Sequence, residues 1–388
     1  MANIFSATDI LIPQKDLNKW SVIACDQFTS NIDYWNNLNN YVNNHNSYLN
    51  CIYPEAYLLT NKKIESDDLH NNMKLYLRDK KDLFYEYQDS YIYVERFLNG
   101  KVRRGIVGVV DLEEYDYKDN KKIRPSEETV EERVPVRAEV REGASLDMSH
   151  VILFIDDEKK EIVEGVNKDE LEKIYDFDLN MDGGHIEGYL IQNDEKDKLD
   201  NSICEYEKRK GDLCYTVGDG NHSLAAAKLV YERYKEGNED YLKSPLRYAL
   251  VEIENIYDPI QVFKPIHRVI DCEDYKQLLN ALSKSDGEEI VVWKCGVFRG
   301  TFNTPSIKEL QKVIDDYLKE CGASIDYVHE IEDLDKLVES GSLGLYLPPI
   351  NNDAFFEVIE RDGSYARKSF SIGSAREKRY YLETRSLR

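Results

Sequence analysis

Hydrophobic and polar positions alternate most regularly in SYIYVERFLNGKVRRGIVGVVDLEEY, residues 90–115, where Tyr91, Tyr93 and Glu95 interleave with Ile92, Val94 and Arg96. A two-residue period puts successive side chains on opposite faces of a strand. Asn99-Gly100 supplies the residues of a tight turn, so GIVGVVDL reads as the return strand of a hairpin. Shorter apolar runs predict further strands at WSVIA (20–24), EAYLLT (55–60), HVILFIDD (150–157), RYALVEIENI (247–256), IQVFKPIHRVI (260–270), EEIVVWKC (288–295) and GVFRGTF (296–302). The tail predicts more strand in GLYLPPI, AFFEVIE and KRYYLETR, and DGGHIEGYLI (182–191) reads as a hairpin-like piece. Helical spacing predicts helices over Ile32–Asn43, 66–84, 160–180, 201–212, from about Ser223, over 273–284, and over 306–321, where Ile307, Leu310, Val313, Ile314 and Tyr317 share one face. Residues 127–147 are charged and helix-like, with Pro135 breaking that helix or opening a second one.

Strands and helices alternate irregularly and several strands come as hairpins. This predicts an α+β protein with mixed sheets rather than a doubly wound fold. A length of 388 residues allows two or three domains, and the expected division is 1–150, 151–285 and 286–388.

Charge narrows the function classes. With 74 acidic against 51 basic side chains the formal charge is −23, so the average surface repels phosphate backbones and anionic membranes. No nucleic-acid or membrane partner is expected. The start MANIFSATDILIPQK lacks a basic region followed by an apolar core, and the chain reads as cytoplasmic. Seven scattered cysteines, without a CxxC pair, predict neither a disulfide framework nor a zinc knuckle.

The candidate chemistry lies in CYTVGDGNHS, residues 214–223. An apolar strand runs into Gly218-Asp219-Gly220 and then into an alanine-rich helix, a geometry that brings backbone N–H groups and the positive helix end up to an anion. Asp219 can act as a base or hold a metal, and His222 can donate to a phosphate or shuttle a proton. The alternative is a capped turn in which Asp219, Asn221 and Ser223 satisfy backbone donors. The stretch is neither a P-loop nor the three-glycine dinucleotide fingerprint.

VGDGNHSLAAAK resembles the Asp-Gly-His-His-Arg signature, with its alanine-rich helix, of a bacterial family of unknown function, the domain of unknown function 1015 family. IACDQFTS, RRGIVGVVDLEEYDY, KIRPSEETVEERVPVR and FKPIHRVI match in order, and KRYYLE near the end is similar too. The signature is in turn similar to that of the ParB and sulfiredoxin superfamily, which includes free-serine kinases. The resemblance implies a ParB/sulfiredoxin-like core with insertions and a nucleotide phosphate site lined by Asp219, Gly220 and His222, with Gly218, Asn221 and Ser223 in the same loop. It implies ATP or ADP with magnesium, Asp219 being the candidate metal ligand. Asn221 stands where the first His is usual and Ser223 where Arg is usual, which removes a fixed-charge phosphate clamp.

Other groups can complete such a site. Asp26 follows an apolar strand and would take a proton from the substrate hydroxyl, or else cap the next helix. Glu127 matches a family Pro-His-Glu position whose His is here Ser126. Arg133, Arg137 and Arg141 recur every four residues, as a ligand-binding stripe or as a solvated face paired with Glu131, Glu132, Glu139 and Glu142. His267-Arg268 suits an anionic substrate or a core salt bridge. The expected function is a nucleotide-dependent phosphotransferase acting on a hydroxyl-bearing metabolite. A non-catalytic nucleotide- or anion-sensing protein and a structural protein without a ligand stand as alternatives.

Overall fold

The computed structural model describes residues 3–59, 64–272, 274–284 and 287–388. It divides into two compact units. The first comprises residues up to Pro125, Thr129–Ile260 and Ser374–Arg388; the second comprises Ser126–Glu128 and Gln261–Gly373. Position 150 lies inside the first unit, and the boundary expected near 285 falls outside the described residues.

The first unit is built on the long hairpin. Phe84–Leu98 pairs antiparallel with Lys101–Asp111, closing at Leu98↔Lys101. Asn99 and Gly100 both take positive φ, 53° and 75°, the conformation that Asn-Gly supplies between right-twisted strands. From there the sheet runs through Tyr248–Asn255 (antiparallel), Ile152–Ile155 (parallel), Tyr215–Asp219 (antiparallel) and Ile123–Pro125 (parallel). On the other side of the hairpin Thr8–Pro13 pairs with Phe84–Leu98 and with Thr384–Ser386, which reaches Leu146–Met148. The sheet is mixed, as expected of an α+β protein.

Neighbouring residues of these strands feed different cores, as a pleat requires. Val109 and Leu250 pack with Trp35 and Leu38 of the helix Ile32–Val42 and with Met73 of Ser66–Arg78. Val110 and Val251 pack with Leu199 and Ile203 of Asn193–Lys210 and with Leu224 and Tyr231 of Asn221–Lys235. The alanines of the last helix serve a second contact. Ala225, Ala226 and Val230 meet Val134 and Ala138 of the helix Val134–Glu142, whose Pro135 sits in the first turn.

The second unit carries a five-stranded antiparallel sheet in the order Phe298–Thr304, Glu289–Cys295, Leu343–Tyr346, His267–Asp271, Ser324–Val328. The helices Tyr275–Leu282 and Ile307–Cys321 pack through Leu278, Leu310 and Ile314 against Ile270, Val291 and Leu345, and Ile331–Glu339 packs through Leu334 and Val338 against Val269.

Three expectations are corrected. Within 160–180 the chain forms the strand Glu172–Asp178, because EKIYDFD finds a partner in His185–Ile191, with Ile186 opposite Phe177 and Gly188 opposite Tyr175. AFFEVIE is the start of the helix Phe355–Asp362, since Phe355, Phe356 and Ile359 bury one helical face. EAYLLT forms the 3-10 helix Glu55–Leu59, with Thr60 outside the described residues.

Candidate functional site

The strand Tyr215–Asp219 delivers its chain to the helix Asn221–Lys235 through two glycines that packing requires. A Cβ on Gly218 would lie 2.5 Å from the Phe154 ring. Gly220 sits at φ 82° with Val151 Cγ2 2.9 Å from where a Cβ would stand. Gly220 is the N-cap residue, and no side chain caps the helix. Asp219 Oδ1 accepts from the adjacent Gly220 N–H, at 2.9 Å, and Asn221 Oδ1 is shielded from solvent with no hydrogen-bond partner among the described residues. The turn is therefore not one in which these side chains satisfy the helix start. Its positive end is left to something else.

The C-terminal segment supplies a cation there. Lys378 Nζ lies 3.3 Å from Asp219 Oδ2, an ion pair rather than an aligned hydrogen bond. Arg96, 2% exposed, holds that segment by donating to the carbonyls of Arg376, Glu377 and Lys378, and also to Gly183. Arg103 donates to Glu377 O at 2.8 Å. Behind Lys378, Arg379 donates to Glu252 at 2.6 Å and to Glu383 at 2.8 Å, and Arg103 pairs with Glu254 at 3.1 Å. Gly105 makes room for the Glu252 carboxylate, which would lie 2.3 Å from a Cβ at that position. Arg96, Arg103, Arg379, Glu252, Glu254 and Glu383 are all buried and Lys378 is half-buried, so these charges hold one another in place rather than meeting solvent.

On the other side of Ser223 stands His150, 2% exposed. Its Nε2 is 3.5 Å from Ser223 Oγ and 3.8 Å from Asp26 Oδ2, while its Nδ1 is 2.8 Å from the Tyr381 hydroxyl. That hydroxyl also accepts from the Cys25 N–H at 3.3 Å. Burial works to raise the Asp26 pKa. The His150 imidazole, a hydrogen bond from Gln27 and the charges of Lys378 and Arg137 outweigh it and hold the carboxyl below its ordinary range. Burial pushes the Cys25 thiol up to about 12, with the Asp26 charge adding to it, so this cysteine is no thiolate at neutral pH.

The remaining expected residues divide. His222 Nε2 accepts from the Val130 N–H at 3.3 Å, so the ring tethers the chain before the Val134–Glu142 helix and its Nε2 lone pair is engaged. Arg137 pairs with Glu55, whose N–H donates to Cys25 O, and Arg141 pairs with Asp147 at 2.7 Å. Arg133 is exposed. Of the arginine stripe, Arg137 alone acts on Asp26.

Glu127, His267 and Arg268 belong to the second unit. Glu127 accepts from the Ser369 and Phe370 N–H groups, and burial raises its pKa. Arg268 is fully buried and donates to Gln311 and to the carbonyls of Ile266, Lys368 and Arg367, while His267 Nδ1 accepts from the Leu347 N–H. Burial, with Arg268 alongside, lowers the His267 pKa. Each of these groups has a structural partner within its own unit.

Among the described residues the grouping with metal-ligand spacing is Asp176, His185 and Glu187, away from Asp219 in the sequence. Lys173 Nζ, 2.7 Å from Asp176 and 3.2 Å from Glu187, already neutralises it. Among the described residues no helix is long and apolar enough to cross a membrane.

The architecture and this loop belong together in a class of α+β proteins, and residues 5–384 match the family model described as "Protein of unknown function (DUF1015)". The chain belongs to that family. No curated protein matches it. Among solved structures, a conserved hypothetical protein from Pyrococcus furiosus is 12% identical, with 72% of this chain and 94% of that chain covered and a TM-score of 0.37. A variant of free serine kinase in complex with AMP is 12% identical over 72% of this chain and 90% of that chain, TM-score 0.39, and one in complex with ADP gives 0.38 at the same identity and coverage. Likenesses of this size leave the function to be argued from the chain's own residues.

His150, Lys378, Arg379 and Tyr381 were not expected from the sequence as site residues. Their signal was the polar-aromatic run KRYYLE and the position of His150 at the start of an apolar strand.

Proposed function

We propose that this protein is a nucleotide-dependent enzyme that transfers a phosphoryl group to the hydroxyl of a small metabolite. The observation that carries this reading is an uncapped helix start at Gly220, flanked by the Lys378–Asp219 pair and by Asp26 on His150. The backbone N–H of Asn221 and the positive helix end bind the phosphates, and Lys378 supplies the cation that the signature places at position 223. Asp26, ionised at neutral pH, accepts the proton of the acceptor hydroxyl, with Lys378 and Arg137 holding the carboxylate charge. His222 positions the loop through Val130.

Magnesium fits Asp219 in the manner usual for this ion, through one carboxylate and the substrate's own phosphates. Asp219 Oδ2, which has no hydrogen-bond partner among the described residues but lies 3.3 Å from Lys378 Nζ, is the atom that would hold it, in exchange for or shared with that lysine. The ion would neutralise phosphate charge.

The test is phosphate transfer from ATP to a panel of hydroxyl-bearing metabolites, followed by phosphorus NMR. Turnover lost in Asp26→Asn with nucleotide binding retained supports the reading. Nucleotide binding without transfer to any acceptor favours the sensing alternative. Transfer that survives both Asp26→Asn and Asp219→Asn removes the assigned roles.

A further inference from the structure

Position 223 departs from the family signature, and the structure gives the serine there a base. Ser223 Oγ is 3.5 Å from His150 Nε2, a distance that hydrogen-bonded nucleophile–base pairs show before substrate tightens them. The ring is fixed from the far side. The Tyr381 hydroxyl takes Nδ1 at 2.8 Å, with the two rings edge to face at 5.5 Å. The Tyr381 hydroxyl, which also accepts from the Cys25 N–H, can take Nδ1 as either donor or acceptor, and in the Nδ1–H tautomer the Nε2 lone pair faces Ser223, the form in which His150 serves as its base. Asp26 Oδ2, 3.8 Å from the same Nε2, stands ready to stabilise the imidazolium that deprotonation would create. Ser223 lies in the first turn of the helix that begins at Asn221, where the helix end favours negative charge on a transferring phosphoryl group.

We infer that Ser223 is a phosphoryl acceptor, and that the enzyme works through a phosphoserine at this position. This rests on the nucleotide-site reading above and adds a covalent intermediate to it. In the first half-reaction Ser223 Oγ gives its proton to His150 Nε2 and bonds the γ-phosphorus of ATP, and the bridging oxygen leaves on ADP. In the second, the acceptor hydroxyl gives its proton to Asp26 and bonds the phosphorus. Ser223 Oγ then leaves and recovers its proton from His150. The two groups beside Nε2 thus divide the work, Ser223 with the nucleotide and Asp26 with the acceptor.

The full chain is incubated with ATP and magnesium, without acceptor, and its intact mass and phosphopeptides are measured together with calorimetric ATP binding. The inference predicts a gain of one phosphoryl group per chain, stable to acid and labile to alkali, mapped to Ser223. The label falls to background in Ser223→Ala and in His150→Gln, while Ser223→Ala still binds ATP. Should His150→Gln fail to fold, Ser223→Ala with peptide mapping decides alone. Bound ATP without any label overturns the inference and leaves the nucleotide site standing. An acid-labile label overturns it too, because it belongs to a carboxylate or an imidazole, as does a label that persists in Ser223→Ala. Absence of ATP binding in the unsubstituted chain removes the nucleotide-site reading, and the inference with it.

Discussion

Replacing Arg379 with methionine tests whether the buried charges behind Lys378 hold the site together. Arg379 is 2% exposed and donates to Glu252 and Glu383, themselves 2% exposed, and to the Ser149 carbonyl. Methionine keeps much of the stem volume but leaves two carboxylates without their common cation. Breaking a buried pair by removing one partner costs about 3–5 kcal/mol, far above the 0–1 kcal/mol of a surface pair. At roughly 2–4 °C per kcal/mol the melting temperature falls by on the order of 10 °C. The loss also depends on pH. Burial raises the Glu383 pKa above its ordinary value, with Arg379 pulling it down. A carboxyl with a raised folded pKa contributes stability that is complete below the unfolded value and is lost as pH rises through the folded one. Without Arg379 the folded value rises further, so the deficit of Arg379→Met is smaller at pH 5 than at pH 8. The assay is a thermal melt of both chains across that interval, with Glu252→Gln/Arg379→Met as the compensating double variant. A deficit under about 1 kcal/mol, or one equal at both pH values, refutes the reasoning.

Three further outcomes follow from the same contacts. Gly220→Ala combines a positive φ with crowding against Val151 and costs about 2 kcal/mol or more, whereas Gly100→Ala, also at positive φ but with open space, costs only about 1 kcal/mol; equal urea midpoints for the two would contradict the packing argument. Asp147 is buried between Arg141 and Arg385, which bring its pKa from 3.8 to about 2 against the effect of burial. It therefore contributes about 2 kcal/mol above pH 4 that disappears as pH falls toward 2, and in acid titrations the deficit of Asp147→Asn should shrink over that range. Iodoacetamide at pH 8, read by peptide mass, should modify exposed Cys321 well before Cys25, whose thiol stands near 12.

Much of the fold was legible because its signals are local. Asn99-Gly100 announced the hairpin, and Pro135 was placed as either a break or an opening, of which the structure shows the opening. The misread segments are those where the partner decides. Glu172–Asp178 carries Ile174, Tyr175 and Phe177 without a clean two-residue alternation, and it becomes a strand because His185–Ile191 lies beside it. The Gly218–Ser223 loop was legible from its glycines, since each is demanded by a contact or a backbone angle. Lys378, His150 and Tyr381 were harder to see. Lys378 reaches Asp219 from 159 positions away and His150 reaches Ser223 from 73, and the strand pairing of Tyr380–Tyr381 with Val22–Ile23 helps bring the last segment alongside Asp26.

The most direct measurement of the central claim is calorimetric titration of the full chain with ATP, ADP and CTP, with and without magnesium, repeated on Lys378→Met. The account predicts micromolar binding of at least one nucleotide, weakened tenfold or more when Lys378 is removed, about 1.4 kcal/mol or more of binding free energy. No heat with any nucleotide, or binding that Lys378→Met leaves unchanged, would contradict a phosphate site at the Gly220 helix start.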